Sequence, residues 1–131
     1  RFTNGTPPST DGRPDIQRRK VDALGLERLV DVVILAAEHG SGAGKPEPAP
    51  FLAACDRLGV PPTHAVFVGD DPDCDIAGAH GVGMRTIWMP SRTASPVTRA
   101  AALADLTMAS LADVPAAAST LLVPDWRAHV A

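Results

Sequence analysis

Short apolar runs alternate with amphipathic segments along the chain, and this alternation predicts strands and helices in turn. The wholly apolar runs at residues 32–35 and 65–68 are typical of strands covered on both faces. Residues 47–58, between them, carry apolar positions at helical spacing and are followed by Gly59. The inward face of this helix is predicted to consist of Phe51, Leu52, Cys55 and Leu58. Strands that alternate with helices indicate an α/β fold with a parallel sheet.

The other elements follow from apolar spacing and from the turn residues that end them. Pro14–Leu24 is predicted to be a helix, because Ile16, Val21 and Leu24 lie roughly on one face and Gly25 would end it. We also predict a short helix at residues 75–80, a strand at 85–89, a helix at 97–104, a weak strand at 106–108 and a last helix at 111–122.

Composition narrows the class of protein. A chain of 131 residues makes one domain at most, and 45% hydrophobic residues are enough for an ordinary core. The net charge of −3 argues against a nucleic-acid or anionic-membrane partner. Two cysteines make no disulfide framework and fit a cytoplasmic protein. No apolar run approaches the roughly 20 residues that span a bilayer.

The densest chemistry follows the strand predicted at residues 65–68. After Gly69, four of the next six residues are aspartates. Crowded carboxylates repel one another, and Mg²⁺, which prefers hard oxygen ligands, is a usual way to make such a cluster favourable. Asp70 directly follows the strand and is the best candidate metal ligand. Asp75 begins the next predicted helix, where it could cap the helix or hold a metal-bound water, and the other two aspartates are interpreted as turn residues.

Two more polar motifs follow apparent strands. Thr3-Asn4-Gly5 can offer a hydroxyl and backbone N–H groups to a phosphate, although a plain turn or cap explains it as well. In Lys45-Pro46-Glu47-Pro48 the two prolines restrict the backbone, so that the Lys45 ammonium group could be held in place to neutralise a phosphoryl group. The alternative is that Lys45 is an ordinary solvent-exposed lysine. The preceding glycine-rich segment is not a P-loop, because His39 and Pro46 occupy its essential positions.

The order of these motifs resembles the haloacid dehalogenase-like (HAD) hydrolase superfamily, and most of all its phosphatase-like members with a mobile cap. Thr3-Asn4-Gly5 resembles the second motif of the family, and Lys45-Pro46-Glu47-Pro48 with Phe51 resembles the third. Residues 65–79, with Gly69-Asp70 and Asp75, resemble the fourth. The resemblance covers about residues 2–122.

The resemblance implies a Rossmann-like parallel sheet with helices on both faces. It also implies Mg²⁺-dependent hydrolysis of a small phosphorylated metabolite through an aspartyl-phosphate intermediate. Thr3 would hydrogen-bond a phosphoryl oxygen, with Asn4 beside it in the same turn, and Lys45 would hold the nucleophile. Asp70 would bind Mg²⁺, and Asp75 would ligate the ion or orient its water shell.

The chain departs from the family at the first motif. DxDx[TV], which supplies the nucleophile and the acid–base aspartate, is not among the 131 residues, and neither is the cap. We therefore expect residues 1–131 to be a single HAD-like core domain that is incomplete at its amino terminus and inactive alone. The family's first strand lies between the second and fourth, so a complementing segment or a second copy of the chain could fill the gap.

Two other functions stay open at this point. A relative that kept the scaffold and lost the nucleophile would be a non-catalytic binding or regulatory domain. A haloacid dehalogenase of the same superfamily would need no metal, and the dense carboxylates argue against that interpretation.

Overall fold

The structure is a computed structural model that describes residues 14–25, 34–91 and 99–125. The chain divides into two compact units, the N-terminal unit (residues 1–60) and the C-terminal unit (residues 61–131). Thr3 and Asn4 lie outside the described residues, as do the first two residues of the strand predicted at 32–35.

The described part of the N-terminal unit contains two helices of 11 residues each, and the sequence predicts both. Helix α1 spans Pro14–Leu24, as expected, and Gly25 follows it in the left-handed region with φ +61°. Leu35 makes a single β-bridge before a 3₁₀ turn at Ala36–Glu38. Helix α2 spans Pro48–Leu58 and ends at Gly59, whose φ of +68° favours glycine.

The buried face of α2 differs from the predicted one, because it excludes Leu52 and includes Ala54. Phe51 and Cys55 are 1% and 2% exposed, whereas Leu52 is 42% exposed, so the prediction that Leu52 faces inward is wrong. Residues 51, 54, 55 and 58 follow the i, i+3, i+4, i+7 spacing of one helical face, and Leu52 lies about 100° away from Phe51. Leu24 of α1 is likewise exposed, while Val21 is buried.

The C-terminal unit is built on a three-stranded parallel sheet. Its strands are β1 (Val66–Gly69), β2 (Arg85–Trp88) and β3 (Leu106–Thr107), in the order β1-β2-β3. Val66 lies opposite Arg85, and Gly69 lies opposite Trp88. Each strand occurs where the sequence predicts it, with bounds that differ by one residue.

The connections in the C-terminal unit are mostly short helical turns. The 3₁₀ turns lie at Pro62–His64, Ala101–Leu103 and Leu111–Asp113. A π-helical turn lies at Pro72–Ile76. The α-helices are α3 (Ala77–Gly81) and α4 (Val114–Leu121). The helix predicted at 75–80 therefore begins three residues earlier, at Pro72. The helix predicted at 97–104 is a single 3₁₀ turn in its described part.

Helical segments pack on both faces of this sheet. Ile87 is fully buried against Leu121 of α4. The next residue, Trp88, packs with Ile76 and Ala101. Because neighbouring strand residues point to opposite faces, these two clusters lie on opposite sides of the sheet, which confirms the predicted layered α/β arrangement. Among the described residues, no helix is both long and apolar enough to cross a membrane.

Candidate active site

The acidic loop, residues 69–75, leaves the carboxyl end of β1 and enters the π-helical turn. Asp70 is exposed directly beyond the strand, whereas Asp75 is only 5% exposed. The N–H of Asp71 donates to Asp75 Oδ2 over 3.3 Å, so the buried carboxylate is held by the backbone of its own loop. Ligands commonly bind at the carboxyl ends of parallel strands, and both predicted metal-binding residues therefore lie where such a site is expected.

The absence of a side chain at Gly69 lets the Asp75 carboxylate sit against the end of β1. A methyl group on Gly69 would lie 2.6 Å from Asp75 Cβ and 2.7 Å from its Cγ. Such distances are far inside van der Waals contact, so any larger residue here would displace Asp75. The glycine that precedes the aspartates is thus a steric requirement of the loop.

Asp71 has the capping role that the sequence suggests for Asp75. Its Oδ1 accepts the N–H groups of Asp73 and Cys74, both over 2.9 Å, and its carbonyl accepts the N–H of Asp75 over 2.8 Å. Because the helical turn begins at Pro72, Asp71 is the N-cap residue. The sequence does contain this signal, since an aspartate directly before a proline is typical of a helix start.

The acidic loop is also tied to β2. The carbonyl of Gly69 accepts the N–H of Met89 over 2.9 Å, and the carbonyl of Asp70 accepts the indole Nε1–H of Trp88 over 3.0 Å. The sequence indicates only strand packing for Trp88 and Met89. Trp88 does pack in the sheet, but its polar edge also fixes the residue predicted to bind Mg²⁺.

No described part of the chain forms a complete metal centre: residues 14–25, 34–91 and 99–125 bring together no group of three or more His, Cys, Asp or Glu side chains placed to hold an ion. The donors present nonetheless fit Mg²⁺, which is commonly held by one or two carboxylates while water or substrate phosphate completes its shell. Asp70, with an exposed carboxylate, suits that partial coordination.

Lys45 lies in the N-terminal unit and is only 6% exposed, so the alternative of a solvent-exposed lysine is wrong. Its peptide bond to Pro46 is cis. The glycine-rich loop before it is closed by Glu47, whose Oε1 accepts Ser41 Oγ–H over 2.6 Å and whose Oε2 accepts the Ser41 N–H over 3.3 Å. A loop occupied by a carboxylate repels phosphate, which agrees with the exclusion of a P-loop.

Other candidate groups stay outside the acidic loop. Burial raises the pKa of the Cys55 thiol, and the neighbouring Asp56 raises it further, so Cys55 is a core residue and a poor nucleophile. His80 is exposed at the end of α3. A cavity of about 320 Å³ in the N-terminal unit is lined by Arg18, Val21, Ile34, Leu35, Glu38, His39 and Arg57, and contains none of the predicted site residues.

Comparison with known proteins agrees with the motifs and the fold. The chain is 40% identical over 80 residues to a phosphoserine phosphatase of Thermus thermophilus, covering 61% of this chain and 31% of that protein. A HAD phosphatase of Thermococcus onnurineus superposes with a TM-score of 0.64 at 35% identity, over 79% of this chain and 46% of that one. A 2-haloacid dehalogenase of Pseudomonas syringae superposes with a TM-score of 0.61 at 39% identity, over 76% and 41%.

The matched relatives are longer than this chain, which spans about a third of the phosphoserine phosphatase and less than half of each solved structure. Residues 9–83, more than half of the chain, match the sequence profile of the haloacid dehalogenase-like hydrolases. With its parallel α/β sheet and the acidic loop at the end of β1, the chain belongs to the haloacid dehalogenase-like hydrolase family.

Proposed function

We propose that the complete protein carrying this chain is a Mg²⁺-dependent phosphatase that hydrolyses a phosphate monoester of a small metabolite. The observation that carries the proposal is the acidic loop, in which Asp70 is exposed at the strand end and Asp75 is buried against Gly69. Relatives named as phosphatases support the same activity.

The described residues have distinct roles in this proposal. Asp70 and Asp75 hold the ion or its water shell, and bound Mg²⁺ offsets the negative charge between an anionic nucleophile and the phosphate. The Asp71 N–H keeps the Asp75 carboxylate oriented. Lys45, held by its buried position, contributes a positive charge to the nucleophile and the transferring phosphoryl group. Outside the described residues, Thr3 would hydrogen-bond a phosphoryl oxygen, with Asn4 beside it in the sequence.

The nucleophile comes from the first family motif, which the 131 residues do not contain. Its carboxylate oxygen attacks phosphorus, the ester P–O bond breaks, and a second aspartate protonates the leaving oxygen. That aspartate then takes a proton from water, whose oxygen attacks the aspartyl-phosphate and releases phosphate. This chain alone is therefore not expected to hydrolyse a phosphate ester.

A comparison of the complete protein with the 131-residue chain tests the proposal. The complete protein should hydrolyse p-nitrophenyl phosphate with Mg²⁺, lose that activity in EDTA and regain it when Mg²⁺ is returned. The 131-residue chain should show no hydrolysis. A complete protein that is inactive on a panel of phosphate esters would exclude the proposal.

Two matched variants separate the site from the rest of the loop. Asp70→Asn in the complete protein removes the exposed carboxylate and should lower kcat/KM at least about a hundredfold while abolishing the Mg²⁺ dependence. Asp73→Asn makes the same chemical change three residues later, at an exposed position. Asp73 donates its backbone N–H to Asp71, and asparagine keeps that N–H, so kcat/KM should stay within about twofold. Equal effects of the two changes would remove Asp70 from the site.

The dehalogenase alternative has support in one structural relative named as a 2-haloacid dehalogenase. It predicts halide release from 2-chloropropionate that persists in EDTA. The acidic loop favours the phosphatase, because a metal-independent reaction gives no reason to concentrate carboxylates there. A non-catalytic domain would bind a phosphorylated metabolite without turnover even in the complete protein.

We place the protein in the cytoplasm, with a small phosphorylated metabolite as its partner and no nucleic-acid or membrane partner. The two cysteines of the chain make no disulfide framework, which fits a reducing compartment. A complementing segment that carries the first motif completes the site.

A further inference from the structure

Three successive carbonyl groups at the end of β1 each accept a hydrogen bond. Gly69 O accepts the Met89 N–H over 2.9 Å, and Asp71 O accepts the N–H groups of Asp75 and Ile76 over 2.8 and 3.3 Å. Both of these carbonyls accept from backbone N–H groups, so their hydrogen bonds depend little on which side chains are present. Between them, Asp70 O is held by a side chain, the indole of Trp88, over 3.0 Å.

Trp88 is well fixed for this task. It is 7% exposed and packs with Ile76 and Ala101 on one face of the sheet. Its backbone lies opposite Gly69 in the register between β1 and β2, so its ring begins one residue away from Asp70. A ring that is immobilised on one edge and hydrogen-bonded on the other restrains the peptide it contacts.

We propose that Trp88 is a positioning residue for the metal site: through its N–H bond to the Asp70 carbonyl, it sets the orientation of the Asp70 carboxylate and thereby the affinity for Mg²⁺. This inference rests on the proposed function, because it requires that Asp70 binds Mg²⁺. It adds a residue outside the charged motifs, and its effect should fall on metal affinity rather than on the chemical step.

The direct test is Mg²⁺ titration of the complete protein by calorimetry. Trp88→Phe keeps an aromatic ring in the packed cluster and removes the N–H donor, so the Kd for Mg²⁺ should rise about three- to tenfold, the range expected for one lost hydrogen bond. In activity assays, Trp88→Phe should raise the Mg²⁺ concentration for half-activation, with kcat at saturating Mg²⁺ within about twofold of the wild type.

A second measurement leaves Trp88 intact, and so does not depend on the folding of Trp88→Phe. The chain has two tryptophans. In a Trp126→Phe form of the complete protein, with any tryptophan outside this chain also replaced, emission comes from Trp88 alone. Mg²⁺ should change this emission with the same Kd that calorimetry gives, and adding Asp70→Asn should abolish the change.

The outcomes separate this inference from the proposed function. Unchanged Mg²⁺ affinity in folded Trp88→Phe, or Trp88 emission that ignores bound Mg²⁺, overturns the positioning role while leaving the phosphatase intact. A general loss of kcat at saturating Mg²⁺ would also overturn it, because that pattern indicates disturbed packing. A wild-type protein that binds no Mg²⁺ overturns both proposals.

Discussion

Gly69 and Asp75 are in direct steric contact, since the Asp75 side chain occupies the space that a β-carbon on Gly69 would need. This contact brings a carboxylate that is 5% exposed to the end of β1, where the Asp71 N–H donates to it. The position of the buried carboxylate therefore depends on a residue that has no side chain.

Gly69→Ala should destabilise the protein by about 1–3 kcal/mol, because the new methyl group must push Asp75 out of its place. Gly81→Ala is the matched control. Gly81 ends α3, and a methyl group there would have no neighbour within 4 Å, so alanine should be neutral or stabilising by up to about 1 kcal/mol. Urea unfolding of both variants measures the difference, and equal stability of the two would contradict the steric contact.

Asp71→Ala should cost about 0.5–2 kcal/mol, because the N–H groups of Asp73 and Cys74 lose the acceptor that caps the π-helical turn. Asp71→Asn keeps a side-chain oxygen at the same distance along the chain and should recover most of that loss. Thermal unfolding at neutral pH measures both changes. A serious loss with asparagine would mean that the charge of Asp71, rather than its capping oxygen, stabilises the loop.

Cys55 should be unreactive in the folded protein, because burial and Asp56 raise the pKa of its thiol and the side chain is 2% exposed. In Cys74→Ser, an aromatic disulfide reagent at pH 8 should modify Cys55 at least about tenfold more slowly in buffer than in denaturing urea. Cys55→Ala is the control, since it leaves the half-exposed Cys74 available.

The same raised pKa fixes the sign of a pH effect. The raised pKa keeps Cys55 a neutral thiol in the folded state. The unfolded chain already forms the thiolate at the same pH, because an ordinary thiol has a pKa of about 8.5. The contribution of Cys55 to stability is therefore complete below about pH 8.5 and declines as the pH rises through the raised pKa. The contribution of Cys55 is the difference in unfolding free energy between Cys74→Ser and a variant that lacks both thiols. If this difference increased with pH in this window, the raised pKa of Cys55 would be contradicted.

Lys45→Met in the complete protein should lower kcat by about a hundredfold or more, because it removes the buried positive charge that we propose acts on the phosphoryl group, while the aliphatic chain is kept. Lys20→Met removes the same charge from an exposed position on α1 and should leave kcat within about twofold. Mg²⁺ affinity, measured by calorimetry, should be similar in both. A kcat unchanged by Lys45→Met would remove Lys45 from the reaction.

The alternation of apolar runs and stop glycines was sufficient to predict the α/β class and the bounds of α1, because these depend on local spacing. It failed at Leu52, since this residue lies about 100° around the helix from Phe51, on the side away from the buried Ala54. Spacing alone shows which residues are apolar, and the packing of the folded chain decides which of them are buried.

In the acidic loop, the charge pattern indicates Asp70 and Asp75 but not the groups that hold them. Asp71 resembles a plain turn residue in the sequence, although its position before Pro72 is a capping signal. The hydrogen bond from Trp88 to the Asp70 carbonyl could not be predicted. It depends on the register of β1 and β2, which sets Trp88 opposite Gly69 although the two strands are separate segments of the sequence. Charges are visible in a sequence, whereas cross-strand neighbours are created by folding.

Ile87 and Trp88 point to opposite faces of the sheet from neighbouring positions on β2. The hydrogen bond from Trp88 to the acidic loop therefore depends on the register in which β2 pairs with β1. If β2 paired with β1 one residue out of step, Ile87 and Trp88 would exchange faces, and the indole would point toward α4 instead of Asp70. Such a mispaired sheet would lose a core contact and the hydrogen bond to the loop in one event. Misregistered chains should therefore be selectively unstable, so the side chain that orients the acidic loop also selects the correct strand alignment.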